Sequence, residues 1–132
     1  MPQASPGAHL LVVDDEPELL ALLRVVLEGE GFTVTGVPSG AAALAQLAAN
    51  RPACILLDLQ MPGMDGWEFL DEARARFGTL PPVVLMTASL PADLDLVARG
   101  IAVYLAKPFD MHEIIDAARL CVGAPVAHPS AH

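Results

Sequence analysis

Five short apolar runs alternate with stretches of helical periodicity along this chain, and this alternation is the main constraint on its fold. The runs cover residues 9–13, 32–35, 53–57, 83–86 and 101–105. Every residue of 53–57 is apolar, as expected for a central parallel strand that is covered on both faces. Strands that alternate with helices in this way build a parallel sheet with helices on both sides. We therefore predict a doubly wound α/β fold.

The stretches between and after the strands predict five helices. After Pro17, leucine and valine recur at the spacing i, i+3, i+4, i+7, i+8, which gives the first helix one apolar face. Ser39 can cap the second helix, and Asp110 with Glu113 has the spacing of a capping box for the last one. The fourth predicted helix, residues 90–99, is short and acidic.

The length and charge of the chain limit the classes of protein to which it can belong. Its 132 residues fit one domain, and an apolar fraction of 54% is enough to form a core. The formal net charge of −9 argues against contact with nucleic acid or an anionic membrane surface, because basic side chains provide the nonspecific part of that affinity. We expect a domain at 9–122, with a loose leader at 1–8 and a flexible tail at 123–132.

The cysteines and the first basic residue predict a cytoplasmic location. Cys54 and Cys121 are too few for a disulfide scaffold and lack the spacing of a metal site. We interpret them as reduced, with Cys54 acting as a small buried hydrophobic residue. The first arginine or lysine is Arg24, so no positively charged region precedes an apolar stretch as it does in a signal peptide.

Polar side chains follow four of the five predicted strands. They are Asp14, Asp15 and Glu16 after the first, Asp58 after the third, Thr87 after the fourth and Lys107 after the fifth. In a doubly wound sheet, ligands bind at the carboxyl ends of the strands, so these side chains mark the candidate site.

The three aspartates predict a site for a hard divalent cation. If the first and third strands are neighbours, Asp14, Asp15 and Asp58 converge, and like charges at such distances repel strongly unless a cation neutralises them. Oxygen ligands without histidine or cysteine favour Mg²⁺ over zinc. The alternative, that Asp14 and Asp15 only cap the following helix, does not account for Asp58.

Lys107 is the only lysine of the chain and follows the fifth predicted strand. A lysine ammonium is a compact point charge on a flexible stem, which suits contact with a phosphoryl oxygen. An ordinary surface lysine is the alternative interpretation. Phosphoryl transfer to a carboxylate needs a nucleophile and compensation for charge on the phosphoryl oxygens, and these residues can supply both.

Four motifs occur in the order, and near the spacing, of a known family. They are residues 12–16 (VVDDE), 58–66 (DLQMPGMDG), 86–88 (MTA) and 104–109 (YLAKPF). With them, residues 10–122 resemble the receiver domain of response regulators in two-component signalling, of the single-domain, chemotaxis-regulator-like kind. The resemblance implies a flavodoxin-like sheet of five parallel strands in the order 2-1-3-4-5, flanked by five helices with a short fourth helix.

The resemblance also implies a role for each acidic residue. Asp58 would be the phosphoacceptor. Asp15 would bind Mg²⁺ directly and Asp14 mostly through water, with Asp58 and the backbone carbonyl of Gln60 as further ligands.

The other matching residues would contact the phosphoryl group or respond to it. Lys107 would pair with this group, and the Thr87 hydroxyl would reach it after a shift of the loop. Ala88 is small where the group must enter. Tyr104 would turn inward when Thr87 moves, and the Lys107–Pro108 bond is expected to be cis, which is inexpensive for a bond before proline.

The resemblance implies a signalling receiver that catalyses only its own phosphorylation and dephosphorylation. A histidine kinase or histidine phosphotransfer protein would donate the phosphoryl group, and a downstream protein would respond. We expect a stand-alone receiver, because no effector domain follows Val122 in this sequence. The alternative is a receiver fragment of a longer regulator or hybrid kinase. A haloacid-dehalogenase-type phosphatase would need a second carboxylate where Gln60 stands.

Overall fold

Five strands form one parallel sheet. The structure, a computed structural model, describes residues 7–88, 90 and 95–123. The strands are β1 (His9–Val13), β2 (Thr33–Val37), β3 (Cys54–Asp58), β4 (Val83–Thr87) and β5 (Ile101–Ala106). Their order across the sheet is β2-β1-β3-β4-β5, and every neighbouring pair is parallel. This order confirms the predicted doubly wound, flavodoxin-like sheet.

Helices cover both faces of the sheet. Those within the described residues are α1 (Pro17–Gly29), α2 (Gly40–Ala49), α3 (Gly66–Phe77) and α4 (Met111–Val122). The predicted caps are present: the Ser39 hydroxyl accepts from the N–H of Ala42 at 3.1 Å, and Asp110 and Glu113 form a reciprocal capping box. These caps satisfy backbone donors that a helix end would otherwise leave without partners.

The prediction of a fourth helix at 90–99 is corrected over its described second half. Residues 89 and 91–94 lie outside the described residues, and 96–100 form turns rather than an α-helix. The backbone N–H groups of Arg99 and Ile101 donate to the carbonyl of Leu96 at 3.1 and 2.9 Å. The tight turn therefore leads directly into β5, and the helix that follows β5 is the fourth one described.

Alternation along the central strands divides the core into two layers. In β3, Ile55 and Leu57 belong to the cluster formed with α2 and α3, whereas Cys54 and Leu56 belong to the cluster formed with α1 and α4. All four side chains are fully buried, as the prediction of a strand covered on both faces requires.

The two cysteines lie in the layer beneath α4 and are paired as a disulfide. Their Cα atoms are 6.0 Å apart although 67 positions separate them in the sequence. The expectation of two reduced thiols is corrected for this structure. Cys54 begins β3 and Cys121 lies in the last turn of α4, so only the packing of α4 against the sheet brings them together.

The ends of the chain lie largely outside the described part. Gly7 is described, and its N–H donates to the carbonyl of Gly31 at 2.7 Å. The rest of the predicted leader, apart from Ala8, and residues 124–132 of the predicted tail are outside it. Among the described residues, no helix is long and apolar enough to cross a membrane.

Candidate functional site

The carboxyl ends of β1 and β3 bring three aspartates together. Val13 is paired with Leu57 across the two strands, so Asp14 and Asp58 follow at the same level of the sheet. One carboxylate oxygen from each of Asp14, Asp15 and Asp58 lies within 4.8 Å of the other two. Asp14 is 0% exposed and Asp58 is 4% exposed. The structure thus gathers the three acidic residues that the sequence singled out.

Backbone hydrogen bonds orient the two buried carboxylates. Oδ1 of Asp14 accepts from the N–H of Glu16 at 2.9 Å, and Oδ1 of Asp58 accepts from the N–H of Gln60 at 3.1 Å. In both cases an aspartate bonds to the backbone two residues further on, which is the geometry of an Asx turn. This leaves the Oδ2 atom of each carboxylate on the side that faces Lys107.

Lys107 reaches the carboxylates from the end of β5. Its Nζ atom lies 2.8 Å from Oδ2 of Asp14, 3.2 Å from Oε1 of Glu16 and 3.5 Å from Oδ2 of Asp58. Its backbone N–H donates to the carbonyl of Thr87 at 2.9 Å, which ties the loop after β5 to the end of β4. The peptide bond between Lys107 and Pro108 is cis.

The electrostatics of the site follow from burial and from this contact. Burial raises the pKa of Asp58, and the charge of Asp14 adds to the effect; the Gln60 N–H and Lys107 oppose it without cancelling it. Burial lowers the pKa of Lys107, but its hydrogen bonds and charge interactions with Asp14, Asp58 and Glu16 outweigh burial and raise the pKa overall. Folding therefore destabilises the ionised form of Asp58 and stabilises the protonated, cationic form of Lys107.

The remaining predicted site residues lie along the same edge. Thr87 is the last residue of β4 and is fully buried, one position beyond the pair formed by Asp58 and Met86. Ala88 follows it and is exposed. Tyr104 lies in the middle of β5, paired with Leu85, and its side chain is partly exposed.

A glycine allows the start of α3 to approach Asp58 closely. A Cβ atom at Gly66 would lie 2.8 Å from the carbonyl oxygen of Asp58 and 2.9 Å from Cα of Leu59. The N–H of Gly66 donates to the Leu59 carbonyl at 2.9 Å, so α3 is fastened directly to the end of β3. A side chain at position 66 would therefore force the backbone at the end of β3 or at the start of α3 to shift.

An open cleft leads to the site between α1 and the start of α4. Its volume is about 1070 Å³, and Lys107, Glu16 and Ala88 border it together with apolar side chains such as Leu22 and Met111. A partner molecule can therefore approach the carboxylates from this side.

The donor set fits a hard divalent cation. The cluster offers three carboxylates and no nitrogen or sulfur ligand, and two of the three carboxylates are already oriented by the backbone. Mg²⁺ prefers such oxygen ligands and usually keeps several waters, for which the partly exposed Asp15 side of the cluster has room.

Glu16 is the site residue whose contact was not foreseen. It stands among the acidic residues after β1, but nothing in the local pattern indicates that its side chain reaches a lysine 91 positions away. Strands β3 and β4 lie between β1 and β5, so the contact depends on the reach of the two long side chains across the end of the sheet.

The fold and the site define a class of α/β protein that gathers carboxylates and one ammonium at the carboxyl ends of parallel strands. Residues 10–119 match the family described as the response regulator receiver domain, and the chain belongs to this family. Receiver domains are signalling domains of two-component systems, and histidine kinases phosphorylate them.

Known relatives agree with this assignment. The DNA-binding response regulator MtrA of Mycolicibacterium smegmatis is 38% identical over 114 residues, which cover 84% of this chain and 49% of MtrA. The DNA-binding transcriptional regulator NtrC of Escherichia coli K12 is 40% identical over 106 residues, covering 79% of this chain and 22% of NtrC. The solved structure of Vibrio cholerae chemotaxis protein CheY4 superposes with a TM-score of 0.80 at 25% identity, covering 87% of this chain and 98% of that one.

The relatives differ from this chain in length. The chain spans about half of MtrA and about a fifth of NtrC, whereas it matches nearly all of the CheY4 chain. MtrA and NtrC are named as DNA-binding proteins. The expectation of no nucleic-acid partner rests on the charge of these 132 residues and extends no further than this chain.

Proposed function

We propose that this domain accepts a phosphoryl group from a phosphohistidine onto Asp58 in a Mg²⁺-dependent reaction and thereby switches a protein-interaction surface. The donor is a histidine kinase or a histidine phosphotransfer protein, and the domain is the unit formed by residues 9–122. The observation that carries the proposal is the meeting of Asp14, Asp15 and Asp58 with Lys107 at one edge of the sheet.

In the transfer step, a carboxylate oxygen of Asp58 attacks the phosphorus atom of the phosphohistidine. An oxygen–phosphorus bond forms as the phosphorus–nitrogen bond breaks, and the imidazole leaves with the electron pair. The Gln60 N–H holds one oxygen of Asp58, so the carboxylate is oriented before the donor arrives. The protein needs little further covalent chemistry for this reaction.

Charge compensation comes from both sides of the acceptor. Mg²⁺ held by Asp14, Asp15, Asp58 and the backbone carbonyl of Gln60 would neutralise charge on the phosphoryl oxygens. Lys107 supplies a second cation, because its side chain already lies against Asp14 and Asp58.

The switch follows from the charge that phosphorylation adds at one point. We assign to the Thr87 hydroxyl a hydrogen bond with the phosphoryl group, and this bond forms only after transfer. The small side chain of Ala88 leaves the space through which the phosphoryl group enters. Tyr104, now partly exposed on β5, turns inward as the Thr87 loop moves. A modification shifts such an equilibrium only through an interaction that differs between the two states.

A second candidate is the same chemistry within a longer regulator or hybrid kinase. It is supported by the length of MtrA and NtrC, of which this chain spans about half and about a fifth. The reading frame on either side of this sequence in the genome distinguishes it from a stand-alone receiver. Membership of the receiver family removes the haloacid-dehalogenase-type alternative.

The test is intact-mass analysis after incubation with acetyl phosphate and Mg²⁺. We expect the wild type to gain one phosphoryl group, and Asp58→Asn to gain none. Asp65→Asn is the matched control, because Asp65 is a partly exposed cap of α3 and lies outside the acidic cluster. Equal labelling of Asp58→Asn would refute the acceptor, and undiminished labelling in excess chelator would refute the metal.

A further inference from the structure

Lys107 lies off-centre between its three carboxylates. Its ammonium is closer to Asp14, at 2.8 Å, and to Glu16, at 3.2 Å, than to the proposed acceptor Asp58, at 3.5 Å. Asp14 is fully buried and cannot follow the ammonium, whereas the Glu16 side chain is 62% exposed and lies on the outer flank. Of the three carboxylates around Lys107, Glu16 is therefore the one on the solvent side.

Among the residues that the structure describes, Lys107 is the hydrogen-bond partner of the Glu16 side chain. Glu16 is the N-cap residue of α1, yet its side chain makes no capping hydrogen bond, and Pro17 begins the helix. Its backbone N–H instead donates to Asp14, the same carboxylate that Lys107 contacts through the other oxygen. The backbone of Glu16 is thus fixed to the site, and its carboxylate is left to reach Lys107.

We propose that Glu16 is a positioning residue that competes with the phosphorylated acceptor for Lys107 and so lowers the affinity of the site for a phosphoryl group. This inference rests on the proposed function. When Asp58 carries a phosphoryl group, Lys107 pairs with its oxygens only after releasing Glu16. Glu16 thereby biases the domain towards its unphosphorylated state.

Removing the charge of Glu16 tests the competition directly. We expect Glu16→Gln to bind the phosphoryl mimic beryllofluoride, in the presence of Mg²⁺, about two- to fivefold more tightly than the wild type, which is the range of a solvent-exposed ion pair. Glu18→Gln is the matched control, because it removes the same charge two residues further along the chain, and Glu18 is not among the carboxylates that contact Lys107. Calorimetric titration gives the affinity of each protein for beryllofluoride. Glu16→Asp keeps the charge on a shorter side chain, so its affinity should lie between those of the wild type and Glu16→Gln.

A second readout requires no phosphoryl mimic and no metal. Lys107 is the only lysine, so protein labelled with ¹³C-lysine gives a single set of side-chain signals. Relaxation of the Cε signal in metal-free protein should show a more mobile side chain in Glu16→Gln and an unchanged one in Glu18→Gln. The affinity gain of Glu16→Gln should also vanish in a Lys107→Met background.

The outcomes separate this inference from the proposed function. If the wild type binds no beryllofluoride, the proposed function fails, and the mobility measurement still decides whether Glu16 restrains Lys107. If the wild type binds but Glu16→Gln and Glu18→Gln behave alike, or if Glu16→Gln binds more weakly, the competition is refuted. A gain that persists without Lys107 would also refute it, because the effect would then come from net charge.

Discussion

The two ends of β3 differ in polarity and in how they are stabilised. The strand ends at Asp58, which is buried beside a second carboxylate, Asp14, and relies on Lys107 for the compensation of its charge. It begins at Cys54, which lies in an entirely apolar layer and is joined covalently to Cys121 of α4. The five-residue strand thus carries buried charge at one end and a cross-link at the other.

This difference between the two ends shows how a small domain can tolerate a site that lowers its stability. Buried like charges lower stability, and a chain of this size has only about 5–15 kcal/mol of stability in all. A cross-link at the opposite end stabilises the same strand without contacting the buried carboxylates. Variants at the amino end should therefore change stability and leave phosphorylation intact, whereas variants at the carboxyl end should change both.

The largest expected effect on stability comes from breaking the cross-link. Closing a loop across a sequence separation of 67 restricts the unfolded chain, and its reduction should cost about 4 kcal/mol. We expect a dithiol reductant to lower the midpoint of thermal unfolding by roughly 10–20 °C. The rate of labelling by acetyl phosphate below that midpoint should stay within about twofold, because the disulfide lies at the far end of the sheet.

The control for this prediction is Cys54→Ala combined with Cys121→Ala. The double variant should unfold at the same temperature with and without reductant. Alkylation of the unreduced, unfolded wild type should modify neither cysteine. Two alkylated cysteines would show that the cross-link is absent from the purified protein, and loss of labelling on reduction would show that the two ends of β3 are coupled.

The next largest effect should come from removing the cation at the other end. Lys107→Met leaves the buried carboxylates of Asp14 and Asp58 facing each other, which should cost about 2 kcal/mol in metal-free protein. This figure is below that of a fully buried pair, because the Lys107 side chain remains 18% exposed. Chemical denaturation in a chelator measures the loss, and added Mg²⁺ should recover most of it by supplying another cation.

The pH dependence of that loss has a definite sign. Because the pKa of Lys107 is raised on folding, its contribution is fully present below the unfolded value of 10.5 and disappears as the pH rises through the folded one. Wild type and Lys107→Met should therefore converge in stability at alkaline pH. A difference that persisted there would show that the stem of Lys107 stabilises the fold by packing.

Much of the fold could be predicted because it depends on local patterns. The uninterrupted apolar run of residues 53–57 identified a strand covered on both faces, and the spacing of Asp110 and Glu113 identified a capping box. Residues 96–99, predicted as the end of a fourth helix, form turns, because so short a segment does not let periodicity separate a helix from a series of turns. The pairing of Cys54 with Cys121 joins distant segments, and no local pattern encodes it.

The candidate site, like the fold, could be predicted from local sequence patterns only in part. Asp14 and Asp58 each follow an apolar strand directly, so adjacency of the two strands was enough to predict that they meet. The contact between Glu16 and Lys107 depends on side-chain reach across two loops, and the raised pKa of Asp58 depends on burial and on the sum of opposing charges. Such quantities follow from packing in three dimensions and not from the spacing of residues in the chain.

A smaller effect of opposite sign is expected from Asp58, the proposed acceptor. Asp58→Asn removes a buried charge but keeps an oxygen that can accept the Gln60 N–H, so metal-free protein should become about 1 kcal/mol more stable. Because burial raises the pKa of Asp58, the native state holds this proton more tightly than the unfolded state does. The wild type therefore loses stability as the pH rises from 3.8 through the folded pKa.

The comparison that isolates this effect is the stability difference between Asp58→Asn and the wild type, measured in a chelator across the acidic range. Titration of the other carboxylates is common to both proteins and largely cancels. The difference should be near zero below pH 3.8 and should grow to a plateau at higher pH. A constant difference would mean that the charge of Asp58 costs nothing, and the contrast between the ends of β3 would lose its basis.

The smallest expected effect sharpens the contrast by showing what an exposed ion pair contributes. Glu72 and Arg76 form an i,i+4 pair on α3 with N···O at 2.7 Å, closer than any of the contacts of Lys107, and both side chains are largely exposed. Glu72→Gln should lower the free energy of unfolding by only about 0.3 kcal/mol, because water screens the pair. If denaturation showed a loss as large as that of Lys107→Met, distance alone would set the strength of these pairs, and burial would not explain the behaviour of the site.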